Sequence, residues 1–561
     1  MANVLGVNAV FHDPAAALVV DGEIVAAAEE ERFSRRKHGK EAVPFSTWEL
    51  PVESARWCLA AAGLRPDDLD AVAYSYDPAL APAADDLVGA ATPGVAAGTA
   101  APWEALRTLY ARRAPEFLAS ALPGLPADRV AFVPHHVAHA ASACLAAPAP
   151  TSAVLVLDGR GEAASHLAGH WTGDDLAVLA TQRLPHSLGL LYEDVTEHLG
   201  FRRSSDEYKV MALASYGDPE HFGAVFRDAV TVRDDGGFTV APVDLGDLVP
   251  RRPAGDPTLG AHADLAAALQ RRVEEVILDL ARWLHAATGE RALTMAGGVA
   301  LNCVANGRLA AEGPFDEVWV QPAAGDSGTA LGAALHAAAR LGEPVRPMTT
   351  AALGRGWSAA EIEEVLRTAE QPYERFDRPG DLAGTVADAL AGGAVVGWFE
   401  GRSEFGPRAL GHRSLLVDPR QASNLARMNA IKGREEFRPV APMVLADRAP
   451  AIFDGRFPSP YMLFVHRVRP EWAERIPAAV HVDGTARVQT VDPADEPLVA
   501  GLLAAFEERT GVPVLVNTSF NTAGRPMVDS PRDALECFGA SPIDVLVLHP
   551  FVVRRPGGVG R

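Results

Sequence analysis

Three histidines lie within five residues at the start of an alanine-rich segment, which reads Pro134-His135-His136-Val137-Ala138-His139. The apolar run 130–133 stops at the proline, and proline is favoured in the first turn of a helix, so we expect a helix to begin here. Four positions separate His135 from His139, which places both imidazoles on one helix face, where they can bind the same metal ion. Capping or core histidines are the alternative, and they explain one histidine better than three.

The ligand types narrow the choice of metal. His136 stands where a zinc protease motif has the glutamate that acts as a base, so this is a different kind of site. Nitrogen and oxygen ligands without a thiolate favour a divalent ion such as Fe2+, with Mn2+ or another divalent metal as the alternative.

Two similar strand-turn-strand segments could bring carboxylates to these histidines. Residues 4–28 read as a strand, a loop with His12 and Asp13, a second strand, an Asp-Gly hairpin turn and a third strand. Residues 153–179 repeat this order, with Asp158 directly after the first strand. The repetition predicts an internal duplication whose halves share a cleft, and it resembles the actin, sugar-kinase and Hsp70 nucleotide-binding superfamily. Chance recurrence of a common pattern is the alternative.

Two glycine-rich turns follow, each between a short apolar strand and a helix, at 297–298 and 325–328. Glycine lets the backbone approach a ligand, and a helix N-terminus favours phosphate, so we expect nucleotide contacts at these turns and beside Asp158. Asp326, in the second turn, would complete a metal set with His135, His139 and Asp158. The residues expected to contact nucleotide are Gly159, Gly297, Gly298, Asn302, Gly325 and Ser327.

A basic segment lies in the last third of the chain. Between Arg402 and Arg438 there are eight basic residues and four acidic ones, in a chain whose net charge is −21. Arginine matches phosphate and carboxylate oxygens, so this segment predicts an anion site. Arginines paired with local acids on a solvated face are the alternative. Asn517 follows an apolar strand and adds an amide at another strand end.

The totals bound the architecture and the class of ligand. A chain of 561 residues is too long for one core. We expect an N-terminal domain at 1–345, a linker at 346–372 and a C-terminal domain at 373–561, with a helical insertion at 77–125 and a long core helix at 264–288. The negative charge argues against nucleic acid or a membrane as the main partner. Four distant cysteines, without a signal peptide or a spanning segment, indicate a cytoplasmic location.

Several short motifs together resemble the NodU/CmcH family of O-carbamoyltransferases. No single motif is decisive, but their order along nearly the whole chain is highly specific. The motifs lie at 12–16, 29–33, 36–38, 135–139, 206–211, 406–411 and 517–521.

The resemblance implies an α/β fold in which a duplicated actin-like (ASKHA-type) N-terminal domain is fused to a YrdC-like α/β C-terminal domain. It implies that carbamoyl phosphate and ATP, with Mg2+, react in the C-terminal domain to give carbamoyl-adenylate. The carbamoyl group would then pass, at the metal site of the N-terminal domain, to a hydroxyl of a small molecule such as an antibiotic, sugar or polyketide. A homodimer is a further family expectation.

The resemblance also assigns residues. His135, His139, Asp158 and Asp326 match the family's metal ligands, with Fe2+ as the expected ion. An alcohol is a poor nucleophile, so a base is desirable, and by position His12 or Asp13 is the candidate. The residues expected to bind carbamoyl phosphate or the adenylate are Arg408, Lys432, Arg438, Arg487 and Asn517.

Three other functions are weaker. A tRNA threonylcarbamoyl transferase would need a broad basic surface, and a sugar kinase leaves the histidines and the basic segment unused. A nucleotide- and metal-binding regulator leaves the second anion site unexplained. One departure from the family pattern is His412, where we expect a smaller polar residue.

Overall fold

The computed structural model describes residues 2–39, 49–82, 100–173, 175–257 and 259–555. The chain divides into two compact units, Met1–Thr349 and Thr350–Arg561. Part of the predicted insertion at 77–125, namely 83–99, lies outside the described residues.

The first half of unit 1 is built on a five-stranded sheet with the order β3-β2-β1-β4-β5. Strands β1, β2 and β3 are antiparallel neighbours, whereas β1, β4 and β5 run parallel. The strands are β1 (Asn3–Asn8), β2 (Ala15–Val20), β3 (Glu23–Glu29), β4 (Ala71–Tyr74) and β5 (Val130–Phe132).

The second half of unit 1 repeats this topology, with the order β8-β7-β6-β11-β12 and the same alternation of antiparallel and parallel pairs. A two-stranded ribbon of β9 and β10 accompanies it. The predicted duplication is therefore confirmed. The strands are β6 (Ser152–Leu157), β7 (Ala164–Trp171), β8 (Leu176–Arg183), β9 (Val230–Val232), β10 (Phe238–Val240), β11 (Ala292–Ala296) and β12 (Glu317–Val320).

The helices of unit 1 include the predicted helix at the histidines, which begins at His135, and the predicted core helix, which runs from Gly260 to Thr288. The helices are α1 (Glu31–Ser34), α2 (Val52–Ala61), α3 (Ala100–Arg112), α4 (Ala114–Ala121), α5 (His135–Cys144), α6 (Leu188–His198), α7 (Glu207–Ala214), α8 (Glu220–Ala229), α9 (Leu245–Leu248), α10 (Gly260–Thr288), α11 (Cys303–Glu312) and α12 (Ser327–Arg340).

Two helices exchange between the halves of unit 1. Helix α5 follows the last strand of the first sheet but packs on β6 and β11, while α12 follows the last strand of the second sheet but packs on β1 and β2. The two helices also contact each other, and small residues permit the close approach. A Cβ atom on Gly332 would lie 1.8 Å from the carbonyl oxygen of Ala138. The N-termini of α5 and α12 are thereby held together.

Unit 2 is built on an eight-stranded mixed sheet with the order β13-β23-β22-β14-β15-β21-β16-β20 and a three-stranded sheet, β17-β18-β19. Its core includes the fully buried Trp398 and Phe506. The strands are β13 (Glu374–Arg375), β14 (Val396–Phe399), β15 (Arg413–Val417), β16 (Ala441–Leu445), β17 (Phe453–Asp454), β18 (Val465–Val468), β19 (Thr485–Arg487), β20 (Gln489–Val491), β21 (Val514–Ser519), β22 (Val545–Leu548) and β23 (Phe551–Arg554).

The helices of unit 2 start within the segment 346–372, for which we expect a linker. Helix α13 begins after a capping box formed by Ser358 and Glu361, and it buries Ile362 and Leu366 in the unit 2 core. Most of that segment therefore belongs to the second unit. The helices are α13 (Ala359–Thr368), α14 (Pro379–Ala391), α15 (Ser423–Ile431), α16 (Ala449–Ile452), α17 (Pro470–Ala473), α18 (Pro497–Thr510) and α19 (Pro531–Ala540).

Candidate active site

Four side chains from both halves of unit 1 meet at the N-termini of α5 and α12. The Nε2 atom of His135 is 3.4 Å from Asp158 Oδ2 and 3.6 Å from Asp326 Oδ1. The Nε2 atom of His139 is 3.5 Å from Asp326 Oδ1 and 3.9 Å from Asp158 Oδ2. One potential ligand atom from each residue lies within 4.8 Å of the others, and all four residues are buried. The structure thus brings the predicted metal set together.

The donor set fits a divalent metal. The Nε2 atoms of His135 and His139 are buried and have no hydrogen-bond partner among the described residues, which is costly unless something binds them. Backbone atoms contact the second nitrogen of His135 and the second carboxylate oxygen of Asp158. Ser75 O lies 3.2 Å from His135 Nδ1, and Gly298 N donates to Asp158 Oδ1 at 2.9 Å. Such supporting contacts orient metal ligands.

The titratable groups of the cluster shift one another's pKa values. Burial alone would lower the pKa of His135, but its contacts with Asp158 and Asp326 outweigh burial and raise that pKa well above its ordinary value. Burial lowers the pKa of His139. Burial would raise the pKa of both carboxyls, yet the neighbouring imidazoles hold them below the ordinary value. A bound metal ion would displace the proton from His135, because a histidine must be deprotonated to bind a metal.

A third histidine joins this environment. His136 is buried, and its Nε2 atom is 3.8 Å from Asp158 Oδ2. It fits beside Gly161, where a Cβ atom would lie 3.0 Å from His136 Cε1. Helical spacing points His136 away from the face of His135 and His139, so this contact was not predicted. Gly161, which leaves room for the His136 ring, is a local sequence signal for this contact.

The two candidate bases lie at the edge of the cluster. His12 Nε2 is 3.8 Å from Asp326 Oδ2, and His12 Nδ1 is 2.9 Å from Asp13 Oδ2. Asn8 Nδ2 donates to the carbonyl oxygens of both residues at 2.9 Å. Burial would raise the pKa of Asp13, but His38 and His12 outweigh burial and lower it well below its ordinary value. Asp13 therefore stays ionised.

Five of the six residues expected to contact nucleotide lie close to the two aspartates. Gly159, Gly325 and Ser327 are their neighbours in the chain, and Gly297 and Gly298 approach Leu157 and Asp158. Gly297 has a φ of 93°, and a Cβ atom there would lie 2.2 Å from Leu157 O, so only glycine fits. The backbone N–H of Gly298 donates a hydrogen bond to Asp158. Among the described residues, the nearest atom to a Cβ atom would be 3.8 Å away at Gly159 and 3.7 Å away at Gly325, so the backbone is open there.

The other two expected nucleotide contacts lie at helix starts. Asn302 caps α11 by accepting from Ala305 N and also bonds Gln270, which accounts for its side chain structurally. Ser327 is the buried first residue of α12, directly after Asp326.

In unit 2, Asn517 ties together the elements that carry the predicted anion site. The residue is fully buried on β21, and its Nδ2 atom donates to Ala409 O at 3.1 Å and to Gln489 Oε1 at 2.7 Å. Gln489 in turn donates to Leu410 O at 2.7 Å. The loop that carries Arg408 is thus joined to β20 and β21. Gln489, two residues after Arg487, was not predicted.

The predicted cations differ in their surroundings. Lys432 is buried and donates to Ser519 and Asn521, with 2.6 Å to Asn521 Oδ1. Arg438 lies 3.5 Å from Glu435. The Nε atom of Arg487 is buried without a hydrogen-bond partner among the described residues. Arg408 is half-buried on its loop.

The charge excess of the basic segment overstates its anion-binding capacity. Arg413 is completely buried and donates to backbone carbonyls, with 2.9 Å to Arg355 O. Arg420 pairs with Asp418 at 2.6 Å, and Arg427 pairs with Asp544 at 2.7 Å. Arg420 and Arg427 therefore fit the alternative of arginines paired with acids, whereas Arg413 is part of the protein interior.

Comparison with known proteins identifies the family. The family model "Carbamoyltransferase N-terminus" matches residues 3–83 and 107–335, and the model "Carbamoyltransferase C-terminus" matches residues 387–555. The chain belongs to the carbamoyltransferase family. The recognition made from the motifs is thereby confirmed. The sheet topologies also agree with the expected α/β class, with a duplicated N-terminal part followed by a second α/β unit. This carbamoyltransferase is an enzyme rather than a binding protein alone.

Two curated relatives cover most of the carbamoyltransferase. The chain is 39% identical to the uncharacterized protein sll1178 of Synechocystis over 99% of its own length and 97% of that protein. It is 39% identical to the nodulation protein NolNO of Sinorhizobium fredii over 98% of its length and 80% of that protein. Among solved structures, HypF of T. kodakarensis aligns with a TM-score of 0.36 and 15% identity, over 61% of this chain and 48% of that chain.

None of the helices in the described part of the chain combines the length and the apolar character that crossing a bilayer requires.

Proposed function

We propose that this carbamoyltransferase modifies a hydroxyl group of a small-molecule natural product, using carbamoyl phosphate and ATP through a carbamoyl-adenylate. The observation that carries the proposal is the cluster of His135, His139, Asp158 and Asp326. Its buried imidazole Nε2 atoms face two carboxylates and have no hydrogen-bond partner among the described residues. We assign adenylate formation to the C-terminal domain, 373–561, and transfer to the N-terminal domain, 1–345.

The reaction sequence balances in three steps, each of which forms one bond at the attacked atom and breaks one. Water cleaves carbamoyl phosphate into carbamate and inorganic phosphate. A carbamate oxygen attacks the α-phosphorus of ATP, which enters as its Mg2+ complex, so that pyrophosphate leaves and carbamoyl-adenylate forms. The hydroxyl oxygen of the acceptor then attacks the carbamoyl carbon, its proton passes to a base, and AMP leaves with the electrons of the broken carbon–oxygen bond.

In the C-terminal domain, Arg408, Arg438 and Arg487 would bind the phosphate groups of the two polyanions. Carbamoyl phosphate and ATP are both polyanions and repel each other. Cations are therefore needed to bring the carbamate formed from the first to the α-phosphorus of the second. The hydrogen bonds of Asn517 to Ala409 and Gln489 support a fixed loop geometry around Arg408. The contacts of Lys432 with Ser519 and Asn521 favour a role in ordering that segment.

In the N-terminal domain, His12 is the better of the two candidate bases. Its Nδ1 atom faces Asp13, which leaves Nε2 on the side of the metal set. Asp13 is a weak base because its pKa is low and imidazoles occupy both of its carboxylate oxygens. Its role is to orient His12 and stabilise the imidazolium form.

The metal set would hold Fe2+ or another divalent ion through His135, His139, Asp158 and Asp326. When bound, the ion supplies Lewis acidity that favours departure of a phosphate leaving group. The open backbone at Gly159 and Gly325 would admit the nucleotide beside it.

Product analysis tests the proposal. The purified protein is incubated with Fe2+, ATP and carbamoyl phosphate, first without an acceptor and then with a panel of hydroxylated natural products. We expect pyrophosphate and AMP, with a carbamate ester only when an acceptor is present. Formation of ADP alone would indicate a kinase or ATPase and would overturn the adenylate route.

A further inference from the structure

Asp13 holds two imidazoles at once. Its Oδ2 atom is 2.9 Å from His12 Nδ1, and its Oδ1 atom is 2.7 Å from His38 Nδ1. His38 is 25 positions away in sequence and reaches Asp13 through the turn that follows α1. A carboxylate bound on both oxygens cannot rotate without losing a charge-assisted hydrogen bond.

His38 is itself fixed on every side. Its backbone N–H donates to Glu31 Oε2 at 2.8 Å, and its carbonyl accepts from Asp13 N at 3.3 Å. Its outer ring nitrogen, Nε2, is 3.1 Å from the hydroxyl of Ser205. His38 and Asp13 have φ values of 59° and 52°, in the left-handed region that non-glycine residues rarely occupy. Such strain persists only where surrounding contacts impose it, and it concentrates at functional sites.

The contacts form one chain from Ser205 through His38 and Asp13 to His12. Ser205 belongs to the second half of unit 1, whereas the other three belong to the first half. The orientation of His12 therefore depends on a contact between the halves.

We propose that His38 is a positioning residue for carbamoyl transfer. It fixes the Asp13 carboxylate, so that His12 keeps its Nδ1 atom protonated and directs its Nε2 lone pair toward the metal set. His38 would act on the reaction through Asp13 and His12. The proposal rests on the proposed function, in which His12 accepts the proton of the acceptor. Hydrogen bonds that orient metal ligands are a comparable case, and their loss typically lowers metal affinity or activity by roughly 10- to 100-fold.

Two substitutions separate the bonds of His38. His38→Asn keeps an amide N–H near the position of Nδ1, which faces Asp13, and asparagine tolerates the left-handed conformation. His38→Gln places its amide near the position of Nε2, which faces Ser205. We expect H38Q to lower kcat for carbamate ester formation by roughly 10- to 100-fold and H38N to retain most of it. The KM for the acceptor and the formation of pyrophosphate before transfer should stay unchanged in both variants.

A second measurement does not depend on turnover. In NMR spectra of protein labelled with 15N-histidine, with the His12 signals assigned from H12Q, we expect the Nδ1-protonated tautomer in the wild type and in H38N. H38Q should show a mixture of tautomers. Equal spectra in the three proteins, or equal loss of kcat in H38N and H38Q, would overturn the positioning role. A wild type with the expected tautomer but without ester product would instead contradict the proposed function.

Discussion

His412 lies between two carboxylates in unit 2, and it yields the most quantitative prediction. Its Nε2 atom is 3.0 Å from Glu496 Oε1, its Nδ1 atom is 3.3 Å from Glu400 Oε2, and its side chain is 8% exposed. Burial alone would lower the pKa of His412, but the two glutamates outweigh burial and raise it to about 10. The residue therefore carries a proton at neutral pH and joins the end of β14 to the start of α18.

The stabilisation that the His412 proton provides decreases as the pH rises. In the unfolded chain the pKa of a histidine is about 6.5, so the folded protein binds the His412 proton more tightly. The resulting stabilisation is complete below about pH 6.5 and is lost as the pH rises through about 10. Since one pKa unit corresponds to about 1.4 kcal/mol, the upper limit of the stabilisation is roughly 5 kcal/mol.

The perturbation is His412→Gln, and the assay is urea unfolding at constant ionic strength from pH 6.5 to 10. The free energy of unfolding of the wild type should exceed that of H412Q most at the acidic end, and the difference should shrink by at most about 1.4 kcal/mol per pH unit. E496Q should show a smaller effect because one carboxylate remains. A matched control is H221Q, which removes an imidazole 55% exposed and 2.9 Å from Asp264. A difference between wild type and H412Q that is constant or grows with pH would refute the reasoning.

Three further predictions concern the two sites. Asp326→Asn should lower the affinity for Fe2+ at least tenfold in equilibrium dialysis, by analogy with other losses near metal ligands; unchanged iron content would remove Asp326 from the metal set. Gly332→Ala should lower the free energy of unfolding by about 1–3 kcal/mol, because its Cβ atom would lie 1.8 Å from Ala138 O. Gly501→Ala, whose Cβ atom would have no described residue within 4 Å, should be neutral or stabilising. Equal effects would contradict the close approach of α5 and α12. Asn517→Ala should slow pyrophosphate release while iron binding stays normal, and a normal rate would show that its bonds to the Arg408 loop are dispensable.

Helix α5, which carries His135 and His139, could be predicted because its sequence signals are local. Pro134 marks the helix start, and the spacing of His135 and His139 places both rings on one face wherever that helix lies. The repeated strand pattern was also visible, because both halves keep the same order of strands and an aspartate or loop at the same strand end. Spacing along the chain therefore carried both the duplication and part of the metal set.

Contacts between distant segments could not be read in this way. Nothing in the sequence around His38 indicates that its ring meets Asp13, or that His412 lies between Glu400 and Glu496. The count of basic residues at 402–438 overstated the predicted anion site for a related reason. A guanidinium that donates to buried carbonyls, as in Arg413, looks the same in sequence as one that faces a substrate.

The exchange of α5 and α12 links metal binding to the joining of the two halves of unit 1. His135 and His139 come from the first half, whereas Asp158 and Asp326 come from the second, so one ion bound by all four would bridge the halves. Ions that bind only the joined state stabilise that state by mass action. The same joining brings Ser205 to His38 and so completes the chain of hydrogen bonds to His12. The metal set and the chain of hydrogen bonds to His12 therefore both span the two halves. Loosening the contact between α5 and α12 should impair both together.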